Sequence, residues 1–551
     1  MHRIKSTNRT TELLSFLVFL AGIAAATITL AVIARTYLPL FSSDYEQVFF
    51  RAAQLKHGEI SVADFVFRRQ VDHPHFIVFS LAYLDVMFFG GRAWLLYAAS
   101  FAFCLATIAT ISVSIFESER DRATRFALIG LATFLLLGPQ NIGILEWPFQ
   151  VTLIGTASLI TVASYLLTRD QTVSKSFVAG LLFAVAIISH GAGVLAIPVL
   201  IAFALIMRRK SFAVIAVLLT VEFSVYAAHY PTTPHIHLAA ILAKMIHAPS
   251  AWLGIPAYVS YLLGHGVAFG ALSTAADAIL GAVGLCAYFF SIVRFVRFKQ
   301  GSAHLVFIST LGLLACLTSV TLNIAYEDLR NANVNFSYFF AVRYLPWTAL
   351  FWIGTFANSI SAARSVCVVA PAISAVAAVF LVIGSIPAIQ RTNADFSARV
   401  AVLDNFGCLE KVSACVLSRA VSLPVDSVRP WSARVFGWQR EVGVSNLPSE
   451  NACVGGAQTK FSRDSILEHV ISVQPADFSD VNWSRGISRT RAGFFVSNAS
   501  VVADLKPCDV VKLADGTVRG IVEIDGRNVY VEGGLLPASA GYPAMIEVIQ
   551  H

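Results

Sequence analysis

The stretch FVAGLLFAVAIISHGAGVLAIPVLIAFALIMRRK, Phe177 to Lys210, decides how this chain is threaded. Its apolar part, Phe177 to Met207, is about 30 residues long, too long for one comfortable membrane crossing of about 20. The centre, SHGAGVLAIP, is polar and glycine-rich. A break near His190 to Gly193 makes a helical hairpin and returns Arg208, Arg209 and Lys210 to the side of Arg169 and Lys175. The basic-inside bias of membrane proteins requires that placement; a single span exports the triplet.

The rest of the chain follows the same rule. Of 551 residues, 56% are hydrophobic and 13% charged, with mean hydropathy +0.70, so the chain is a polytopic membrane protein. The net charge of +7 sits in short clusters between apolar runs, as topology signals do, and argues against nucleic acid as a partner. Leu13 to Ala34 follows Arg3, Lys5 and Arg9 and exceeds a signal-peptide core in length; it reads as an uncleaved span with a cytoplasmic N-terminus.

Phe76 to Phe89 is short, carries Asp85 and ends in Gly90-Gly91-Arg92, which predicts an amphipathic helix lying on the outer surface. Trp94 to Phe116 then delivers ESERDRATR (Glu117 to Arg125) to the cytoplasm. Phe126 to Gly138 rises to an outer loop, Pro139 to Gln150, and Val151 to Leu167 descends. Beyond the hairpin, Phe212 to Ala228 leads out to the histidine-rich loop His229 to Ser250. Trp252 to Gly266, punctuated by Pro256 and glycines, reads as a surface or re-entrant segment. Leu272 to Val293, Leu305 to Ile324, Leu345 to Ile360 and Val366 to Ile386 alternate in direction after it. The tally is about eleven spans, with the N-terminus inside and the C-terminus outside. Trp94, Trp147, Trp252 and Trp347 fall at outer boundaries, as interfacial indoles do.

The fold class is therefore mainly α, a transmembrane bundle over 1–389 with a first external loop at 35–75. From about Gln390 charges, prolines and short alternating runs replace apolar sequence. Two Asp-Gly turns, Asp515-Gly516 and Asp525-Gly526, separate strand-like runs and predict a β-rich extracytoplasmic domain over 390–551. Of eight cysteines, Cys408, Cys415, Cys453 and Cys508 lie in that tail. An even number outside the membrane suits disulfides, most simply Cys408 with Cys415 and Cys453 with Cys508, although four cysteines allow three pairings.

Chemistry is expected along the outer ends. Ser42 to His75 packs Asp44, Glu46, Asp64, Asp72, His73 and His75 with Arg51, Arg68 and Arg69 beside the membrane, where ionisable groups are costly and tend to be functional. Glu146 and Gln150 flank Trp147; Lys244, His265, Arg343 and Tyr344 lie at later outer ends. Asp72, His73 and His75 have a spacing that admits a divalent cation, but Pro74 favours an extended turn over a rigid ligand-bearing helix, and no metal ligand is assigned. Walker A, HExxH and GxSxG patterns are absent from the sequence, which argues against an ATP-driven pump.

The order of these elements, one span, an acidic external loop, DHPHF, then EWPFQ, SHGAG, YLLGHG and AVRY, resembles the polytopic GT-C glycosyltransferases. It is most similar to the bacterial members whose first external loop ends in an asparagine-glutamate-histidine-arginine motif. Asp72, His73, Pro74 and His75 occupy that place here, without the usual glutamate and arginine. The resemblance covers Leu13 to Ile386 and excludes the tail. It implies transfer of a sugar from a polyprenyl-phosphate donor to an envelope glycan, lipid or protein, with a carboxylate of the first external loop as base. Asp44 is the first choice for that base, with Glu46 and Asp72 in reserve. Arg343, Arg68, Arg69 and Lys244 are the candidates for the phosphate. A transporter or flippase of an envelope precursor, and a scaffold acting through the tail, are the alternatives. Against a transporter, the ionisable residues cluster at one face rather than at mid-membrane.

Overall fold

The computed structural model describes residues 9–38, 43–70, 73–119, 121–169, 172–230, 253–268, 272–298, 300–326, 342–362, 369–404, 417, 420 and 425–444, and short strands between 470 and 547. Its first helix, Arg9–Thr36, is built inside out. Small or polar residues, Ser15, Gly22, Ala25 and Thr29, are buried, whereas Leu13, Phe16, Leu17, Leu20 and Leu30 are exposed. That is the pattern of a helix facing lipid, where small residues let backbones approach. A Cβ on Gly22 would overlap the carbonyl of Gly130, so this helix and Arg122–Leu137 cross backbone to backbone.

Among the described residues, eight helices are long and apolar enough to cross a membrane. The apolar block at 177–207 is broken where the sequence requires, into Val173–Ile187 and Gly191–Met207. Fifteen residues in the first arm give about 22 Å at 1.5 Å per residue, short of a hydrocarbon core of about 30 Å. Both arms therefore fall below full crossing length, and they account for part of the difference from the expected eleven.

Three further expectations change. Phe76–Phe89 is a helix with the expected bounds, but it is not amphipathic: Leu84, Met87, Phe88 and Phe89 are exposed, and the charged residue, Asp85, is buried. Asp85 accepts from the backbone N–H of Ala93 at 2.6 Å and Leu95 at 3.0 Å, closing the N-terminus of helix Trp94–Ser118. The expected outer loop at 139–150 is a chain of buried helical turns, Pro139–Asn141, Ile142–Leu145 and Pro148–Gln150. Gln140 Nε2 donates to Phe134 O at 2.7 Å and Asn141 Nδ2 to Leu135 O at 2.9 Å. These amides satisfy carbonyls at the end of the preceding helix, so the chain stays inside. Trp347, expected at the interface, is 1% exposed and belongs to the core. Trp94 is exposed, and Trp252 lies outside the described residues.

The basic loops share one end of the bundle. Arg169 pairs with Glu117 at 2.5 Å, Tyr165 donates to Glu117 at 3.0 Å, and Arg209 donates to the carbonyls of Thr168 and Arg169 at 3.2 Å. Tyr97, whose hydroxyl donates to Glu146 O at 2.8 Å, precedes Glu117 by twenty residues on one helix. At 1.5 Å per residue the two contacts stand about 30 Å apart, one hydrocarbon thickness. Glu117, Arg169 and Arg209 thus meet opposite the end that holds Glu146.

The chain divides into two units. One comprises Met1–Thr36, Gly58–Phe89 and Ala93–Thr392; the other comprises Tyr37–His57, Gly90–Arg92 and Asn393–His551. In the second, helix Glu46–Lys56 packs against helix Val425–Val442 through Phe50 and Trp438, ring centroids 5.0 Å apart, and through His57 and Glu441 at 2.5 Å. Its strands include Val518–Asp525 and Asn528–Val531, antiparallel with Asp525 opposite Asn528, and Arg489–Val496 pairs with the latter. Cys408, Cys415, Cys453 and Cys508 lie outside the described residues.

Candidate functional site

The end of the bundle opposite the basic loops is assembled from three segments far apart in sequence. Gln70 and His73 exchange two backbone hydrogen bonds of 3.0 Å, forming a tight turn that delivers His73 and His75 to the start of helix Phe76–Phe89. The N–H of Phe76 donates to Ile188 O at 3.1 Å, and Thr152 Oγ1 donates to Ser189 O at 2.5 Å. The break in the hairpin is therefore bonded to the first residues of two other helices. Its polar backbone groups, which a broken helix leaves without partners in its own segment, are satisfied there.

Three imidazoles meet at this junction. His73 stacks on His190 with centroids 5.4 Å apart and planes at 20°. His75 lies 6.2 Å from His73 and 6.0 Å from His190, and its ring meets Phe149 edge-on at 4.9 Å. A Cβ on Gly191 would stand 2.7 Å from His73 Nδ1, so glycine is needed for the stack to close. His190 Nδ1 accepts from Ala192 N at 3.0 Å, which puts the proton of the neutral ring on Nε2. Burial, then the positive charges of His73 and Arg343, push the His190 pKa down to about 3. His190 is a neutral hydrogen-bonding group at neutral pH, and its electrostatics register Arg343 nearby.

Around the imidazoles stand the residues of EWPFQ. Glu146 is buried and its carbonyl is held by Tyr97. Gln150 is 4% exposed, yet among the described residues its Oε1 has no hydrogen-bond partner, and neither has the enclosed Nε1 of Trp147. Buried polar atoms of this kind cost roughly 1–3 kcal/mol each and usually mark a missing partner such as water or ligand. Arg343 is exposed on the turn Val342–Tyr344 that opens helix Leu345–Ala362, with its guanidinium 5.4 Å from the Tyr344 ring.

Other candidates are placed elsewhere. Arg68 caps helix Val62–Phe67 and Arg69 leads into the Gln70–His73 turn. Asp64 forms a capping box with Ser61, whose hydrogen bonds hold its carboxyl below the usual range; it is a helix cap. His265 is paired with Asp277 at 2.6 Å rather than with the other histidines. Asp44, in the turn Ser43–Tyr45, and Glu46, which accepts from Gln47 Nε2 at 3.3 Å, belong to the second unit. Asp72 and Lys244 lie outside the described residues. Among the described residues no three or more His, Cys, Asp or Glu side chains are placed so that they could hold a metal ion.

Sequence reading quoted SHGAG but did not select His190; the signal was the polar break in the apolar run. It missed Asp277 altogether, an acid in the first turn of a spanning helix.

No protein-family model matches the chain, and no curated protein matches it. Two solved structures are similar to it, ArnT from Cupriavidus metallidurans in the apo state and the same protein bound to undecaprenyl phosphate. Identity is 13% in both cases, over 92% of this chain and 97% of that chain, with TM-scores of 0.31 and 0.30.

Proposed function

We propose that this chain is an integral-membrane glycosyltransferase of the GT-C type, moving a sugar from a polyprenyl-phosphate donor to an envelope glycan, lipid or protein. The observation that carries the reading is the convergence of His73 and His75, the residues of EWPFQ, His190 and Arg343 at one end of a helical bundle, with a buried Gln150 whose Oε1 has no partner among the described residues. Arg343 offers a fixed cation to the departing lipid phosphate, with Arg68, Arg69 and Lys244 in support. Glu146, Gln150, His73, His75 and Tyr344 line the sugar side. Imidazoles and an amide suit hydroxyl groups, which need both donors and acceptors.

A sugar hydroxyl is a poor nucleophile, and a carboxylate within hydrogen-bond reach takes its proton as the anomeric bond breaks. Asp44 is the proposed base, with Glu46 and Asp72 as the alternatives. The basic-loop end is assigned to the cytoplasm by the positive-inside rule. The motif end then faces the periplasm, together with a β-rich tail that positions the acceptor and carries Cys408, Cys415, Cys453 and Cys508 as disulfides.

The test is transfer by the purified full-length protein of a radiolabelled sugar from polyprenyl phosphate to envelope extract. Transfer by the wild type, lost in Asp44→Asn, supports the reading. No transfer, together with an unchanged cellular glycan profile in that variant, removes it.

A further inference from the structure

Helices Ala196–Met207 and Lys210–His229 are joined by Arg208 and Arg209 alone, so they pack as an antiparallel pair closed at its basic end. Their buried side is made by Phe203 and Phe212, whose rings stack with centroids 6.1 Å apart. Their other side carries an apolar groove of about 310 Å³, lined by Ile201, Ala204 and Leu205 from the first helix and by Ala213, Val217 and Val221 from the second. Alanine at 204 and 213 leaves the hollow, and the exposed side chains of Ile201, Leu205, Val217 and Val221 border it.

The groove has a charged mouth. Lys210, Ala213, Val217 and Val221 follow one another at three, four and four residues, so they form one stripe of the helix with Lys210 at its basic end. Arg169 is paired with Glu117, and Arg209 is engaged by the carbonyls of Thr168 and Arg169. Arg208 and Lys210 are exposed and have no side-chain partner among the described residues. Arg208 also stands in the left-handed conformation, φ +54°, at the end of its helix, a place where glycine is the favoured residue and a side chain is strained.

The basic-inside bias accounts for positive charge at this end of the bundle, but not for a hollow that opens one turn beyond it. From Lys210 to Val221 the stripe is about 16 Å long at 1.5 Å per residue, which matches half of a hydrocarbon core of about 30 Å. Its length is thus that of one leaflet. Any lipid chain can fill an apolar hollow; two cations without partners at its mouth select one that carries a phosphate and a net negative charge. We propose that this groove seats an acyl chain of an anionic phospholipid, with Arg208 and Lys210 on its phosphate. The site lies at the end of the bundle opposite the three-histidine junction and stands independently of the glycosyltransferase reading.

The experiment places the full-length protein in nanodiscs of phosphatidylcholine with a minor share of phosphatidylglycerol and counts the lipids retained on the protein by native mass spectrometry. Wild type is expected to retain phosphatidylglycerol well above its share. Arg208→Gly and Lys210→Gln should each lower that preference about fivefold, the equivalent of about 1 kcal/mol for a basic side chain at an anionic surface. Ala213→Trp, which fills the groove and keeps both cations, should abolish it. Arg122→Gln with Arg297→Gln, which removes two exposed charges outside the groove, should leave it at the wild-type level. Phosphatidylcholine retained as readily as phosphatidylglycerol by wild type, an equal loss in the Arg122 and Arg297 variant, or full preference in Ala213→Trp overturns the proposal. Should Ala213→Trp not fold, Arg208→Gly, whose backbone conformation suits glycine, decides against the Arg122 and Arg297 control.

Discussion

The imidazole of His73 stacks on that of His190, centroids 5.4 Å apart, because Gly191 leaves room for it and because the broken hairpin is bonded to the start of helix Phe76–Phe89. The contact ties the segment that precedes helix Phe76–Phe89 to the middle of the apolar block at 177–207. It makes a single wall out of segments that the sequence presents as separate outer ends.

Gly191→Ala tests that wall. The added methyl, 2.7 Å from His73 Nδ1, must displace the ring or the turn, at a cost of about 1–3 kcal/mol by the usual penalty for overpacking. A lowered melting temperature in nanodiscs and loss of donor binding are expected. Wild-type behaviour in both means that the stack is dispensable.

The suppressed protonation of His190 predicts a pH dependence of stability. The unfolded chain takes up a proton on His190 below about 6.5, whereas the folded chain does so only near 3. The unfolded state then binds more protons, so this contribution is fully present above pH 6.5 and is lost progressively as pH falls towards 3. In His190→Asn, whose side-chain oxygen can still accept from Ala192 N, the curve of melting temperature against pH should be flatter over that window. An unaltered acid limb speaks against a ring held neutral in the folded chain.

Gln150→Met removes an amide whose Oε1 is buried without a partner among the described residues. Replacing an unsatisfied polar group by an apolar one of similar shape is neutral or stabilising for the empty protein. If the amide serves a ligand, donor affinity should drop about tenfold while the melting temperature holds or rises. A variant that is less stable and binds normally assigns Gln150 to the fold.

Asp85 closes a helix. Asp85→Ala leaves the N–H groups of Ala93 and Leu95 without their acceptor, and a loss of roughly 1–3 kcal/mol is expected from the melting temperature. Donor affinity should be unchanged, since the carboxylate is used up on the backbone.

Much of the bundle was legible because length and charge carry it. The apolar block at 177–207 exceeded one span, and its polar centre gave the break. The basic loops gave a shared end, where Arg169, Arg209 and Glu117 now meet. What failed was whatever depended on neighbours far along the chain. Phe76–Phe89 was read as amphipathic from its lone acid, but that acid faces inwards to cap the next helix. The span order makes 139–150 an outer loop but does not tell that its turns are buried; Gln140 and Asn141 donate to carbonyls inside the bundle. Trp347 was read from its position at a span end, which cannot tell lipid headgroups from a neighbouring helix. The histidines at 73, 75 and 190 were visible singly, and nothing local told that they share one junction. His265 was selected without Asp277, because an antiparallel crossing at glycines leaves no periodic mark linking its two strands of sequence.

The central claim, that the motif end binds a polyprenyl-phosphate sugar, is tested most directly by photolabelling. A diazirine-bearing polyprenyl-phosphate sugar is bound to the full-length protein in nanodiscs, irradiated, and the labelled peptides are sequenced. Labelling of the peptides that contain His73–His75, Glu146–Gln150, His190 and Arg343, suppressed by excess unlabelled donor, is the result predicted. Saturable labelling confined to the opposite end, around Glu117, Arg169 and Arg209, or no saturable labelling at all, would contradict it.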